Sequence, residues 1–273
     1  MRRIAFINEK GGTCKTTLAV NTAAWLARDR GLKVLLVDLD TQGHAGKSLG
    51  LDVRTLPRNV FHLLTDPTVR LEDVIQPSAV EGLSVLPAYK EMADFPLLVA
   101  QEPRRAHRLA DRLAPAEAAG FDVLVFDAPP SMGLTTRNIL VAATEVVVPV
   151  GLTYFALDGC AEVADTVRQV AESEGRPELR ITKVVPTLYR RTALATAILE
   201  RLQAYFPDTL AATPLGYNVK VDEAQSHGKT IWEYAPGSPG AKMLGAIATE
   251  IFDGVPAKGS KRGGGRKKAS SAA

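Results

Sequence analysis

Residues 8–17 read NEKGGTCKTT, and this stretch decides the fold. An apolar run at residues 3–7 precedes it, and a helix-forming run at residues 18–30 follows it. Strand, glycine loop, Lys-Thr pair and helix, in that order, are typical of a phosphate-binding loop. Glycines let the backbone approach a polyphosphate closely, and the loop amides and the helix N-terminus then face its negative charge. The stretch therefore predicts a nucleotide site between a strand and a helix.

The loop departs from the common pattern G-x-x-x-x-G-K-[ST] at both glycines. Glu9 occupies the first glycine position and Cys14 the second, which leaves K-G-G-x-x-K-T-T with an additional lysine, Lys10. Lys15 is placed to reach β- and γ-phosphates, and the Thr16 hydroxyl to ligate Mg²⁺. The alternative interpretation is a Gly-Gly turn before a basic helix start. Agreement between strand, loop and helix favours the phosphate loop.

Apolar runs and helical patterns alternate along the rest of the chain. They predict an α/β fold with a single doubly wound, mostly parallel sheet and helices on both faces. Residues 45–82 contain three prolines, so only short helices are expected there. The predicted strands cover residues 3–7, 33–38, 83–87, 121–127, 145–150, 180–186 and a short segment near 210–214. The predicted helices cover residues 18–30, 97–113, 156–174, 192–206 and about 240–252.

Two of the predicted strands end in aspartate. One ends at Asp38, with Asp40 two positions later, and another ends at Asp127. Ligands of α/β proteins bind outside the carboxyl ends of the strands, so these carboxylates would share a rim with the loop. An apolar strand that closes on an aspartate is also the Walker B pattern, whose carboxylate holds the Mg²⁺ shell. The pattern is weak alone and becomes specific beside Lys15 and Thr16.

Composition narrows the classes of protein. The chain has 273 residues, of which 46% are hydrophobic, enough for a sizeable core. No run of about 18 apolar residues indicates a membrane span, and the strand pattern at the first residues leaves no signal peptide to expect. The two cysteines, Cys14 and Cys160, are too few for a disulfide framework or paired metal spacing. A reducing cytoplasm is therefore the expected setting.

The charge is concentrated at one end of the chain. The net charge is +3, and residues 257–273 carry six basic and no acidic residues, which leaves residues 1–256 mildly acidic. The same segment is rich in glycine and serine, so a disordered basic tail at 257–273 is expected after a domain at 1–256. The tail has no bulky apolar residue with which to enter a lipid bilayer.

Several motifs together resemble one family, the ParA/MinD deviant Walker A ATPases, and within it the ParA (Soj) branch. The family loop K-G-G-x-G-K-T-T is similar to residues 10–17. The signature D-x-D-P-Q-G-N resembles residues 38–44 (DLDTQGH), and D-x-P-P-S-x-G resembles residues 127–133 (DAPPSMG). Residues 149–159 and 218–229 resemble the segments P-V-x-x-x-Y-F-A-L-x-G and N-V-R-x-x-E-A-x-S-H-G-K. The resemblance covers about residues 1–253, in order and at matching spacing.

The resemblance implies a slow ATPase that uses ATP and Mg²⁺. Lys15 and the loop would hold the phosphates, Asp38 and Asp127 would bind waters of the metal, and Asp40 would orient the attacking water. Lys10 would cross a homodimer interface to the nucleotide of the partner subunit. Adenine is expected near Asn218 and Gly216. The full set of implied nucleotide contacts is Lys10, Gly11, Gly12, Thr13, Cys14, Lys15, Thr16, Thr17, Gly216 and Asn218; the implied metal ligands are Thr16, Asp38 and Asp127.

The chain departs from the family pattern at several positions. Cys14 replaces a glycine, and the loop should still close if that backbone does not need a positive φ; a thiol of low pKa among the loop amides would also be open to oxidation. Thr41 and His44 replace Pro and Asn of the second signature. Gly216 and Tyr217 stand where the family usually has Pro-Arg, so the adenine site is the part the resemblance defines least.

The resemblance also implies a biological role. ParA proteins bind DNA non-specifically as ATP dimers, and a ParB-type or other adaptor protein triggers their release. Arg191 and Lys220 align with DNA-binding positions, and a cytoplasmic, nucleoid-associated protein is expected. One alternative is a related positioner of a non-DNA cargo, and another is a MinD-like membrane-associated ATPase. Nitrogenase iron-protein relatives hold an iron–sulfur cluster through cysteines, and the number and positions of the cysteines here argue against that class.

Overall fold

The computed structural model describes residues 1–153 and 156–254. Eight strands form one sheet, in the order β3-β4-β2-β5-β1-β6-β7-β8, and all described pairs are parallel except β3 with β4. The strands are β1 Arg2–Phe6, β2 Val34–Asp38, β3 Gln76–Pro77, β4 Leu83–Leu86, β5 Val123–Asp127, β6 Glu145–Gly151, β7 Arg180–Tyr189 and β8 Leu215–Gly216. The predicted mostly parallel sheet is confirmed.

Helices cover both faces of this sheet. The helices in the described residues are α1 Lys15–Arg30, α2 His44–Ser48, α3 Val60–Thr65, α4 Phe95–Leu98, α5 Arg108–Leu113, α6 Pro115–Ala118, α7 Leu134–Ala142, α8 Ala156–Ser173, α9 Ala193–Tyr205, α10 Val219–Ser226, α11 Ile231–Tyr234 and α12 Pro239–Asp253. Two apolar cores result, one packed under α3, α5, α7, α8 and α9, and the other under α1, α10, α11 and α12.

The central strands contribute to both cores by simple alternation. In β1, Ile4 and Phe6 enter the core under α1, whereas Ala5 enters the opposite core. Successive side chains of a strand point to opposite faces, so a strand covered on both faces must be apolar at every position. This explains why the central strands read as continuous apolar runs rather than as alternating patterns.

Two sequence predictions are wrong. Residues 97–113 do not form one helix, because α4 ends at Leu98 and α5 begins only at Arg108. Pro103 lies between them, and proline lacks the N–H that a continuous helix needs. The last strand lies at Leu215–Gly216 rather than at 210–214, where Leu210 makes only an isolated bridge to Val184.

The other predicted strands and helices are confirmed, and several further elements were not predicted. The remaining predicted strands and helices occur within a few residues of their predicted bounds, including short helices within 45–82. The sequence predictions omitted α6, α7, α10, α11 and the short antiparallel β3. The predicted basic tail at 257–273 and the motif residues Tyr154 and Phe155 lie outside the described residues.

Sheet register brings the predicted site together. Asp38 at the end of β2 is the register partner of Asp127 at the end of β5, and Phe6 at the end of β1 is also paired with Asp127. The loop that follows β1 therefore emerges beside both carboxylates. Parallel strands place their carboxyl ends on the same rim of the sheet, so residues far apart in sequence become neighbours here.

Candidate nucleotide-binding site

The loop between β1 and α1 has the geometry of an anion cradle. Gly12 adopts a left-handed conformation with φ 73°, and α1 begins at Lys15 with its N-terminus directed at the loop. The Lys15 side chain is 93% buried and its Nζ donates to the Lys10 carbonyl at 3.2 Å, so the ammonium lies over the loop. Burial lowers the pKa of Lys15, and Asp127 and Asp40 oppose that shift. A buried ammonium beside loop amides is suited to bind phosphate.

Two fully buried carboxylates lie under this loop. Asp38 accepts hydrogen bonds from the backbone N–H groups of Asp40 and Ala45, each at 3.0 Å. Neither carboxylate oxygen of Asp127 has a hydrogen-bond partner within the described residues. Burial raises the pKa of Asp127 to about 7, against the effect of the neighbouring Thr16 hydroxyl and of Lys15. Burial, and then the Asp127 charge, raise the pKa of Asp38 well above its usual range.

The donor set fits Mg²⁺. Buried charges are normally paired or coordinate a metal, and Asp127 has two buried oxygens without a partner in the described structure. Within residues 1–153 and 156–254, His, Cys, Asp and Glu form no group of three that could hold a metal without other ligands. Mg²⁺ usually keeps several waters and uses one or two carboxylates together with substrate phosphates, and Asp38 and Asp127 are two such carboxylates. Asp38, Asp127 and the Thr16 hydroxyl are the residues that would surround it.

The rim of the site carries the third predicted carboxylate. Asp40 is partly exposed, and its Oδ1 accepts the backbone N–H of Gln42 at 3.0 Å. Its own N–H is bound by Asp38. The Asp40 position is therefore fixed from both sides while the side chain still borders the open cavity. A carboxylate held in this way can orient a water molecule next to a bound phosphate.

The loop, Lys15, Thr16 and Asp40 line one cavity of about 940 Å³, which is large enough for a nucleotide. Asp38 and Asp127 are fully buried and lie outside this lining. Gly216 and Asn218 border the same cavity, although they are about 200 residues from the loop in sequence. The Asn218 side chain also caps α10, since its Oδ1 accepts the N–H of Lys220 at 3.0 Å. The structure thus places the residues predicted for adenine and for phosphates around one space. The lining shared with the predictions is Gly11, Gly12, Thr13, Cys14, Lys15, Thr16, Thr17, Asp40, Gly216 and Asn218.

Sequence reasoning missed several residues of this cavity, among them Gln225 and Leu188. Gln225 on α10 donates its Nε2 to the Thr17 hydroxyl at 2.8 Å and so ties α10 to the loop. Leu188 borders the cavity in a left-handed conformation, with φ 55° and 40% of its surface exposed. Gln225 occupies a variable position of the block at 218–229, and Leu188 lies near the end of β7, two residues beyond the predicted strand at 180–186, so neither carried a distinctive signal.

The condition placed on the Cys14 backbone is not met, and the low pKa expected for its thiol is contradicted. Its φ is 64°, so the backbone does adopt the left-handed conformation that a glycine would accept without strain. Burial raises the pKa of the Cys14 thiol to about 11. The thiol is therefore protonated at neutral pH and is not the readily oxidised thiolate that the loop position suggested.

Cys14→Gly is expected to give a more stable apo protein than Cys14→Ala. Both variants lose the thiol, but only glycine relieves the left-handed strain, which costs an L-residue about 1–2 kcal/mol. Elsewhere alanine is the more stable of the two by roughly 0.5–1 kcal/mol. Urea unfolding of both variants without nucleotide measures the difference, and a Cys14→Ala protein as stable as Cys14→Gly would contradict the strain argument.

The remaining predicted residues lie outside the cavity lining. Lys10 is exposed, and its Nζ donates to the Thr153 hydroxyl at 2.9 Å. Arg191 and Lys220 are also exposed, after the adjacent strands β7 and β8. The Arg190 guanidinium lies 5.9 Å from the centre of the Tyr217 ring, which shows that the two segments meet. Lys220 forms an ion pair with Glu223 at 2.6 Å.

The chain is similar to known proteins over most of its length. Residues 1–181 match a protein family described as an AAA domain. The chain is 40% identical to the chromosome-partitioning ATPase Soj of Thermus thermophilus over 92% of its own length and 96% of the relative's. It is 38% identical to the sporulation initiation inhibitor protein Soj of Bacillus subtilis, over 91% and 97% of the two chains.

The chain belongs to the ParA/Soj family of partition ATPases. The resemblance drawn from its motifs is thereby confirmed. Among solved structures, a protein named cobyrinic acid a,c-diamide synthase from Mycobacterium smegmatis, with bound ATP analogue and magnesium, has a TM-score of 0.79 and 30% identity. The alignment covers 92% of this chain and 94% of that one.

Proposed function

We propose that the chain is a chromosome- or plasmid-partition ATPase that binds Mg²⁺ and ATP in the 940 Å³ cavity, dimerises around the nucleotides and binds DNA in that state. The observation that carries the nucleotide part is the placement of two buried carboxylates beside a buried lysine under a glycine loop. In the nucleotide-free protein, burial of the Asp38, Asp127 and Lys15 side chains costs folding free energy, because burying charge is unfavourable. A magnesium–phosphate complex would neutralise all three.

The residues divide the chemistry among themselves. Lys15 and the amides of residues 11–17 would bind the phosphates. Thr16, Asp38 and Asp127 would hold Mg²⁺, which when bound would supply positive charge beside the γ-phosphate. Asp40 orients the attacking water. Positioning and charge neutralisation suffice for phosphoryl transfer, so no covalent intermediate is needed.

Lys10 provides the link to a second subunit. It stands in the same loop as Lys15, but its ammonium points to the surface rather than into the cavity of its own chain. In an ATP-bound homodimer this cation contacts the phosphates of the partner subunit. ATP then connects the two monomers, and hydrolysis separates them after an adaptor protein of ParB type stimulates it.

DNA binding is assigned to the side of the molecule where β7 and β8 end. Arg191 and Lys220 are exposed there, and cations near phosphates give affinity without sequence preference. Glu223 competes for Lys220, so Arg191 is expected to contribute more. The six cations of residues 257–273 could add phosphate contacts through the same charge-driven mechanism. This role places the protein in the cytoplasm, on the nucleoid.

Stimulated hydrolysis and DNA binding test the proposal together. ATPase activity is measured for the protein alone, with DNA, and with DNA plus the candidate adaptor, and a stepwise increase is expected.

DNA affinity of the ATP-bound protein should fall steeply with salt, and each lost phosphate contact should lower the slope of log affinity against log salt concentration by about 0.9. Arg191→Ala should reduce that slope, while Arg54→Ala, which removes an exposed arginine paired with Asp52, should not. Salt-independent DNA binding would refute the charge-driven mechanism.

A positioner of a non-DNA cargo would use the same ATPase and a different adaptor. It predicts that an unrelated partner, rather than a ParB-type protein, stimulates hydrolysis in the same assay. None of the helices in the described part of the chain combines the length and apolar character that a bilayer crossing requires.

A further inference from the structure

The backbone of Lys10 is fixed by a buried side chain outside the loop motif. Asn8 is 97% buried, and its Nδ2 donates to the carbonyl of Pro149 in β6 at 2.7 Å. Its Oδ1 accepts the N–H of Lys10 at 2.9 Å. Ile7 is the last residue to extend the β1–β6 ladder, through its N–H to the Val147 carbonyl. Asn8 therefore continues that ladder with its side chain and turns the main chain outward at Lys10.

The carbonyl of Lys10 is held from the opposite direction. It accepts hydrogen bonds from the Thr13 hydroxyl and from Lys15 Nζ, each at 3.2 Å. Lys10 thus has its N–H and its C=O bound, and only its side chain extends into solvent. Such preorganisation places the ammonium at a defined point before any partner arrives, which lowers the entropic cost of binding.

The side chain of Lys10 has a neutral partner at that point. Its Nζ donates to the Thr153 hydroxyl at 2.9 Å, two residues beyond the end of β6. A hydroxyl is a weaker acceptor for an ammonium than a phosphate oxygen, since ionised acceptors form bonds roughly twice as strong. The contact holds the lysine extended along the carboxyl end of β6, and a phosphate that comes within reach can displace it.

We propose that Thr153 is the resting partner of Lys10, and that the lysine exchanges this hydroxyl for a phosphate of the nucleotide in the second subunit. Asn8 is the positioning residue that presents Lys10 for the exchange. Thr153 then opposes dimerisation, because one lysine–hydroxyl contact is broken in each subunit, whereas Asn8 favours it. The inference rests on the proposed role of Lys10 and assigns two residues to it that lie outside the lysine-containing signature at 10–17.

Thr153→Val tests the resting contact, because valine keeps the shape of threonine and removes the hydroxyl. ATP-dependent dimerisation, measured by sedimentation, should tighten by at least about threefold. The reason is that the variant has no Lys10–hydroxyl hydrogen bond to break in each subunit when the dimer forms. Thr153→Ser keeps the hydroxyl and should return the dimerisation constant to that of the unmodified chain. A Thr153→Val protein that dimerises equally or more weakly would overturn the inference.

Asn8→Ala tests the positioning role, and it should change dimerisation in the opposite direction to Thr153→Val. Dimerisation should weaken by about tenfold, while the affinity of the monomer for ADP changes less than about threefold, because the loop still binds phosphate. If Thr153 and Asn8 had only structural roles, both substitutions would weaken dimerisation. Opposite changes in the dimerisation constant therefore distinguish the proposed roles from structural ones. If Lys10→Ala dimerises normally, the proposed function of Lys10 fails. If Lys10→Ala is defective and Thr153→Val is unchanged, only the resting contact fails.

Discussion

Asp40→Ala is expected to slow ATP hydrolysis by about 10²–10⁴-fold, the usual contribution of a positioned general base or water-orienting group. Asp40 borders the cavity next to the loop. Its backbone N–H donates to the Asp38 carboxylate, and its own Oδ1 accepts the backbone N–H of Gln42. The variant keeps Lys15, Asp38 and Asp127, so the binding of ATP and Mg²⁺ should persist. The protein should therefore accumulate as an ATP-bound dimer that no longer separates.

Single-turnover hydrolysis and sedimentation with ATP measure the two consequences separately. A matched control is Asp52→Ala, which removes an exposed carboxylate paired with Arg54 away from the cavity lining. The control should hydrolyse ATP at the rate of the unmodified chain. Normal turnover by Asp40→Ala would remove Asp40 from the mechanism, and failure to bind ATP would mean that the substitution had damaged the loop.

Much of the site could be predicted because its main constraints are local or follow from strand direction. The loop and α1 are contiguous, so a short stretch of sequence defines them. Asp38 and Asp127 each end an apolar strand, and parallel strands place their carboxyl ends on one rim. The neighbourhood of the two carboxylates therefore follows from topology, without knowledge of any side-chain contact.

The parts that could not be predicted depend on backbone conformation or on distant contacts. The sequence alone does not show the φ of Cys14, because that value comes from the closed loop as a whole. Pro103 interrupts the predicted helix at 97–113, and its missing N–H is the local feature of the sequence that disfavours a continuous helix there. Gln225 reaches Thr17 across 208 positions of sequence, and no local pattern signals such a hydrogen bond.

Cys14 and Asp127 illustrate a common compromise between stability and function. A left-handed cysteine and a buried carboxylate with no hydrogen-bond partner among the described residues both cost folding free energy in the nucleotide-free protein. The pKa of Asp127 is about 7 when folded and near its usual value when unfolded, so the folded state binds the extra proton between these values. Its contribution to stability therefore falls as the pH rises from about 4 to 7. Bound Mg²⁺ would remove this penalty.

The lysine at the surface of the loop produces the second large effect. Lys10 and Lys15 lie five residues apart, yet one ammonium is buried over the loop and the other is exposed. Nucleotide binding by a single chain accounts for the buried ammonium only, because a phosphate in the cavity of that chain would be within reach of Lys15. The exposed ammonium, fixed through its backbone at a distance from its own cavity, acquires a role when a second nucleotide is brought to it by a partner subunit.

Lys10→Ala should therefore abolish ATP-dependent dimerisation and leave ATP binding by the monomer intact. Truncating one member of a desolvated charge pair costs about 2–5 kcal/mol, and the symmetric dimer loses two such pairs, so the dimer dissociation constant should rise by at least about 10²-fold. Sedimentation with ATP measures dimerisation, and fluorescent-nucleotide titration measures binding. Lys90→Ala, which removes an exposed lysine near Tyr89, is the matched control and should dimerise normally. A Lys10→Ala protein that still forms the ATP dimer would show that the interface is held together by other contacts, and the loop would then serve only its own nucleotide.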